Sequence, residues 1–178
     1  MSETDEELTV LLRGLEQVES LLAEVTPERL GEATPCGEWT VRDLVDHLGQ
    51  APVKFARSVR GQEVDWSADA PGHEDWLAAY RQQADDLRAW RDVEGTPEPG
   101  PAWQTAEFAV HSWDLAQSLG HPTGDLDPTV AERGYAFMRA TLAPEMRGSA
   151  FAPEQPAPEG ADAYQRIAAF AGRTVPQS

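Results

Sequence analysis

Cysteine is almost absent from this sequence. Cys36 stands alone in 178 residues, so one chain can form neither an internal disulfide nor a cysteine-based zinc site. A single thiol suits a reducing cytoplasm. Lysine is as scarce, with Lys54 the only one, and positive charge of any kind is short: 14 Lys plus Arg face 31 Asp plus Glu, for a formal charge of −17. That balance excludes non-specific binding to nucleic acid or to an anionic membrane, because phosphate recognition needs clustered cations. No apolar run approaches the length of a membrane span. The start, Met1-Ser2-Glu3-Thr4-Asp5-Glu6-Glu7, is acidic and lacks the basic and apolar regions of a signal peptide. Strand alternation bounded by turns, internal repeats, a glycine-rich phosphate loop and a nucleophile elbow are all missing. The expectation is one soluble, cytoplasmic domain spanning 1–178.

What is present is helical periodicity. Leu8, Leu11, Leu12, Leu15, Val18, Leu21, Leu22 and Val25 recur at three and four and predict a first helix over about 5–25. Thr26-Pro27 predicts a short helical turn. Thr34-Pro35-Cys36-Gly37-Glu38-Trp39 reads as a loop. Thr40 with Asp43 three residues on predicts a helix start, and Val41, Leu44, Val45, Leu48, Phe55 and Val59 mark the buried stripe of a second helix to about 60. Pro52 inside it predicts a kink or break. His47 lies on the shoulder of that stripe, the position that faces the space between helices. A crossing loop follows over 61–72, and a third helix runs from His73 to about Trp90.

Gly95 to Pro101 is a break. The next helix ends at Gly120, with Pro122 just past it. Asp127-Pro128 starts a fifth helix, with Val130, Tyr135, Met138 and Leu142 on its buried side. Residues 144–160 predict an extended arm packed through Phe151 and stiffened by Pro153, Pro156 and Pro158. A last short helix covers Ala161 to Ala171, and Arg173 to Ser178 reads as a tail. Four long helices with a long crossover after the second predict an all-α four-helix bundle, with another all-α arrangement of the same helices as the alternative.

The segment from Ala102 to Leu119 has neither Pro nor Gly and is apolar almost all round, the pattern of a core helix. Its polar residues Gln104, Glu107, His111 and Asp114 step by three, four and three, so they share one face. Glu107 and His111, one turn apart, can address a common object, and a carboxylate with an imidazole is half of a metal site. A solvated stripe has the same spacing, and on this stretch alone a solvated stripe is the expectation, because short His/Glu pairs are common by chance.

Three separated stretches carry a resemblance. They are Thr34 to Leu48, containing Trp39-Thr40-Val41-Arg42-Asp43-Leu44 and His47; Glu107 to Gly120, containing Glu-x-x-x-His-x-Trp-Asp-Leu-Ala; and Gln165 to Arg173. Together they resemble the metal-binding domain of mycothiol-dependent maleylpyruvate isomerases, a branch of the DinB-like proteins. The resemblance implies a DinB-like four-helix bundle in up-down-down-up order, with short additional helices and, here, a Pro-rich C-terminal arm. It also implies a divalent metal, usually zinc, on His47, Glu107 and His111. Three protein ligands leave one position open. The co-substrate so implied is a small thiol, mycothiol if the source is actinobacterial, reacting with an electrophile by S-transfer or isomerisation. The assembly expected is a monomer or homodimer.

The sequence departs from the family at Gly37, often Pro, and at Gln117, often Arg. It also shows no second domain, which in those isomerases helps to form the substrate site. Arg42 and Arg57 are candidates for a substrate carboxylate, against the alternative that each is a solvated surface residue. Asp114 is expected to hydrogen-bond behind a ligand rather than to bind metal. Cys36, with no histidine beside it in sequence, is not expected to act as a nucleophile. A non-catalytic metal-binding bundle, or a scaffold whose site has decayed, are the competing readings.

Overall fold

The computed structural model describes residues 3–65, 68, 71–89, 100–148 and 151–176. These residues are all-α, with six helices: α1 (Glu3–Glu24), α2 (Val41–Val59), α3 (Trp76–Ala89), α4 (Pro101–Leu119), α5 (Pro128–Thr141) and α6 (Ala163–Phe170). Short 3-10 turns stand at Pro27–Arg29, Thr123–Asp125 and Pro144–Met146. No strand occurs among the described residues; a single bridge between Ala33 and Thr40 closes the loop before α2. No described helix is long and apolar enough to cross a membrane.

α4 is the helix around which the others gather, touching α1, α2, α5 and α6. Every residue from Gln104 to Ala116 except Glu107 is buried. Leu115 and Phe108 are wholly enclosed, and such a side chain contributes about 1.5–3 kcal/mol when removed from water. Pro101 opens the helix, where a missing N–H costs nothing. Gly120 ends it at φ +69°, a left-handed conformation that favours glycine. On the α5 side, a Cβ at Gly134 would lie 3.0 Å from the Ala106 Cα and 3.2 Å from the Ala109 Cβ. A residue without a side chain is what lets α5 lie so close to the turn that carries Glu107.

α2 begins with a reciprocal cap: the Asp43 N–H donates to the Thr40 hydroxyl (3.3 Å) and the Thr40 N–H donates to the Asp43 carboxylate (2.8 Å). Pro52 does not break this helix, which runs unbroken to Val59. The side chain of Val59, and the end of α3 expected at Trp90, fall outside what is described. α3 starts at Trp76 rather than His73, with Asp75 accepting from the Ala78 N–H (2.9 Å). Its inner side is Tyr80, Ala84 and Leu87, and the Tyr80 hydroxyl donates to the Leu15 carbonyl on α1.

Two further expectations are corrected. The polar stripe of α4 is not solvated: Gln104, His111 and Asp114 are 1%, 7% and 0% exposed. The surrounding helices cover it, and periodicity within one helix carries no information about its neighbours. Nor is the tail after α6 loose. Arg173 and Val175 are buried, and the chain turns there through Gly172 at φ +89°. A Cβ at Gly172 would fall 2.5 Å from the Ala152 carbonyl oxygen, so arm and tail touch backbone to backbone.

Candidate metal centre

Two helices and one loop build the site. Glu107 and His111 stand one turn apart on α4, and His47 reaches them from the shoulder of α2. The His47 Nε2 lies 3.5 Å from Glu107 Oε2, and the His111 Nε2 lies 3.6 Å from the same oxygen. Good N–H···O hydrogen bonds are about 2.9–3.0 Å long, so both contacts are long for that role. Two ligands each about 2.1 Å from a tetrahedral zinc stand roughly 3.4 Å apart. The His47 Nε2 is also buried without a hydrogen-bond partner, an arrangement proteins avoid unless something else satisfies the atom. All three donor atoms lie within 4.8 Å of one another. The residues present therefore fit a divalent metal.

The loop before α2 supplies the lid of the ring stack. The Trp39 ring lies nearly parallel to His111 (5.9 Å, 14°) and tilts over His47 (4.9 Å, 55°), while the two imidazoles meet edge to face at 4.8 Å. Behind His111, its Nδ1 is 3.1 Å from Asp114 Oδ2. Asp114 in turn accepts from the Arg173 guanidinium through Nη2 (2.9 Å) and Nε (3.1 Å). That fork matches the planar geometry of a carboxylate. Arg173 Nη2 also donates to the Cys36 sulfur at 3.2 Å. The chain Arg173–Asp114–His111 fixes the ring's orientation, the usual task of a carboxylate behind a ligating histidine.

The charges are set by this packing. Burial pushes Glu107 up, but the two imidazoles together outweigh it and hold its carboxyl well below the usual carboxylate range. Burial pulls His111 down, yet Asp114, Cys36 and Glu107 together raise it well above the ordinary histidine value. His47 is lowered, chiefly by burial. The cluster thus balances its carboxylates either with a proton on His111 or with a cation held between His47, Glu107 and His111.

The donors face a cavity of about 690 Å³, walled by Cys36, Trp39, Val110, Phe151, Gly172 and Arg173. A second set of donors, Cys36, His111 and Asp114, shares His111 with the first, with Asp114 fully buried.

The mycothiol maleylpyruvate isomerase N-terminal domain model matches residues 11–116. The chain belongs to that family. Two uncharacterized proteins from strains of Mycobacterium tuberculosis, MT0763 and Rv0738, are each 33% identical over 177 residues, covering 88% of this chain and 91% of the relative. No solved structure matches. The matched stretch holds His47, Glu107, His111, Cys36 and Asp114. Arg173 and Phe151, which complete the family member's site here, lie beyond it.

The two arginines singled out for a substrate carboxylate are not brought to the cavity. Arg42 donates to the His73 carbonyl (3.0 Å) and lies 3.4 Å from Asp46. Arg57 is exposed in the last turn of α2. Three residues of the site went unassigned from sequence. Cys36 has no histidine near it in sequence but is brought to His111 by the fold. Trp39 and Arg173 fell inside the recognised stretches without a role; only their position beside an aromatic-lidded donor set reveals one.

Proposed function

We propose that this chain binds one divalent metal, zinc by preference, on His47, Glu107 and His111, and serves a reaction of a small thiol of the mycothiol type with an electrophile, as an S-transferase or isomerase-like enzyme. The supporting observation is the triplet itself: three donors at metal-ligand spacing, facing a cavity rather than a closed core. When bound, the metal supplies a Lewis-acid position that favours the deprotonated form of a thiol near neutral pH. Glu107 contributes the negative charge of the donor set. Asp114, clamped by Arg173, keeps the His111 Nε2 aimed at the donors. Trp39 excludes water from one side of the imidazole pair. Helices α1–α4 are assigned to the up-down-down-up DinB-like bundle, and the metal would be held between α2 and α4.

The test is metal analysis followed by cobalt substitution. The expected results are one equivalent of metal per chain and a sulfur-to-cobalt charge-transfer band on addition of a small thiol. Glu107→Gln should weaken metal binding while keeping the helix, since Gln is close to Glu in size and helix propensity. Protein that takes up no zinc, nickel, iron or manganese would end the reading.

One observation favours a second reading, a non-catalytic metal-binding module. Cys36 lies in the same cavity, grouped with His111 and Asp114 rather than with His47 and Glu107; a shift that brought its sulfur to the triplet would add a fourth protein ligand and close a zinc site. In that case the cobalt band is present without added thiol and disappears in Cys36→Ser.

A further inference from the structure

One polar side chain next to the donors is still without a task. Gln104 stands on α4 one turn before Glu107, on the same face. It is 1% exposed, and among the described residues neither its amide nitrogen nor its amide oxygen has a hydrogen-bond partner. Enclosing an amide without partners is strongly disfavoured. The neighbouring positions hold Ala106, Phe108 and Ala109, all buried, so an apolar residue would suit the packing better. Gln104 lines neither the 690 Å³ cavity nor a smaller one of about 340 Å³ that adjoins it at Glu107 and Phe151. Its partner therefore lies behind the donors, not among guests in front of them.

The candidates separate by position. Ser112 Oγ and Trp113 Nε1 on α4 are also buried and unpaired, but they stand eight and nine residues on, about 12 Å along the axis. Gln83 Oε1 belongs to α3, which packs against α1 and α2. Asp46, on α2, is turned toward Arg42 and Gly72. Glu107 is one helical turn away, where Cβ atoms stand about 5–6 Å apart. Helical side chains lean toward the preceding turn, which carries the Glu107 carboxylate back over Gln104. The chemistry is complementary as well. An amide NH2 donates, and an ionised carboxylate accepts. Glu107 meets both imidazoles at one oxygen, Oε2; among the described residues no donor reaches the other. His111 is held from behind by Asp114, and a carboxylate that ligates metal is ordinarily held by a hydrogen bond in the same way.

We propose that Gln104 is a positioning residue for Glu107: in the metal-loaded chain its NH2 donates to the Glu107 carboxylate and keeps one oxygen aimed at the two histidines. The inference rests on the metal reading above and adds to it the group that orients the acidic ligand.

The experiment measures zinc affinity of the full chain by competition with a chromophoric chelator. Gln104→Met keeps the unbranched shape and loses the amide. Affinity should fall roughly tenfold or more, while the metal-free melting temperature stays level or rises, because an unpaired buried amide is gone. Gln104→Leu, apolar with a different shape, should act alike. In proton–nitrogen spectra of the labelled chain, the side-chain NH2 signals missing from Gln104→Met identify Gln104, and zinc should move them downfield. Unchanged zinc affinity in both variants, or Gln104 signals that zinc does not move, would overturn the proposal. An affinity loss matched by a lower metal-free melting temperature in both variants would also overturn it, since that marks a packing role. The two levels stay separate. No zinc uptake by the unaltered chain ends the metal reading, whereas normal uptake with indifferent variants ends only the role of Gln104.

Discussion

The candidate metal donors and the outer part of the wall in front of them come from two different kinds of chain. His47, Glu107 and His111 sit on α2 and α4, within residues 11–116 that match the family. The outer part of the wall, Phe151 on the arm with Gly172 and Arg173 in the turn after α6, lies outside that match, while Cys36, Trp39 and Val110 lie inside it. The donors are placed by helical geometry, where a spacing of four residues guarantees a shared face. The wall is placed by single contacts between irregular segments, such as Gly172 against Ala152 and Arg147 against the carbonyls of Ala152 and Phe170.

The sharpest break in this division is His47→Ala. It should abolish stoichiometric metal while leaving far-ultraviolet circular dichroism unchanged, because the cores of α1–α6 are apolar and do not depend on the ion. Chelation of the unaltered protein should act alike, lowering the melting temperature without loss of helix. Unfolding by chelator at room temperature would show that donors and scaffold are one unit.

Next in size is Arg173→Ala, a change in the wall that should reach the donors. Asp114 is fully buried, and removing its cation leaves an uncompensated charge, a loss of about 3–5 kcal/mol in urea melts. Freeing the His111 ring should also weaken metal roughly 10–100-fold. Unchanged metal affinity would mean that the two regions are independent after all.

Gly134→Ala tests the seam between the regions. The added methyl meets α4 backbone at 3.0 Å, and overpacking of this kind costs about 1–3 kcal/mol. Because Ala106 precedes Glu107, the displacement should register in metal affinity as well as in the denaturation midpoint. Thr40→Ala removes the α2 cap for about 1 kcal/mol. Arg57→Ala, exposed and away from both cavities, should stay within about 0.5 kcal/mol and leave metal content alone.

These sizes do not follow how visible each residue is in the sequence. The helix spans, the Thr40–Asp43 cap, the Gly120 stop and the shared face of Glu107 and His111 are all local patterns, and the structure places them within a few residues of where periodicity does. Pro52 misleads, because a helix held by tertiary packing tolerates one lost backbone bond. The α4 stripe misleads in the same way: nothing within the helix tells that Gln104 and Asp114 face other chain rather than water. Arg173 was least legible. Its partner is 59 positions away, it follows the last periodic segment, and no spacing rule connects a tail to the middle of the chain.

That separation also has a meaning in time. Asp114 is synthesised before the arginine that neutralises it. At ribosomal speeds of about 5–20 residues per second, the wait is roughly 3–12 seconds. Through that interval the nascent chain already holds His47, Glu107 and His111, with neither the clamp on His111 nor the Gly172 turn in place. Arg173 then arrives as a late latch that fixes the His111 ring through Asp114.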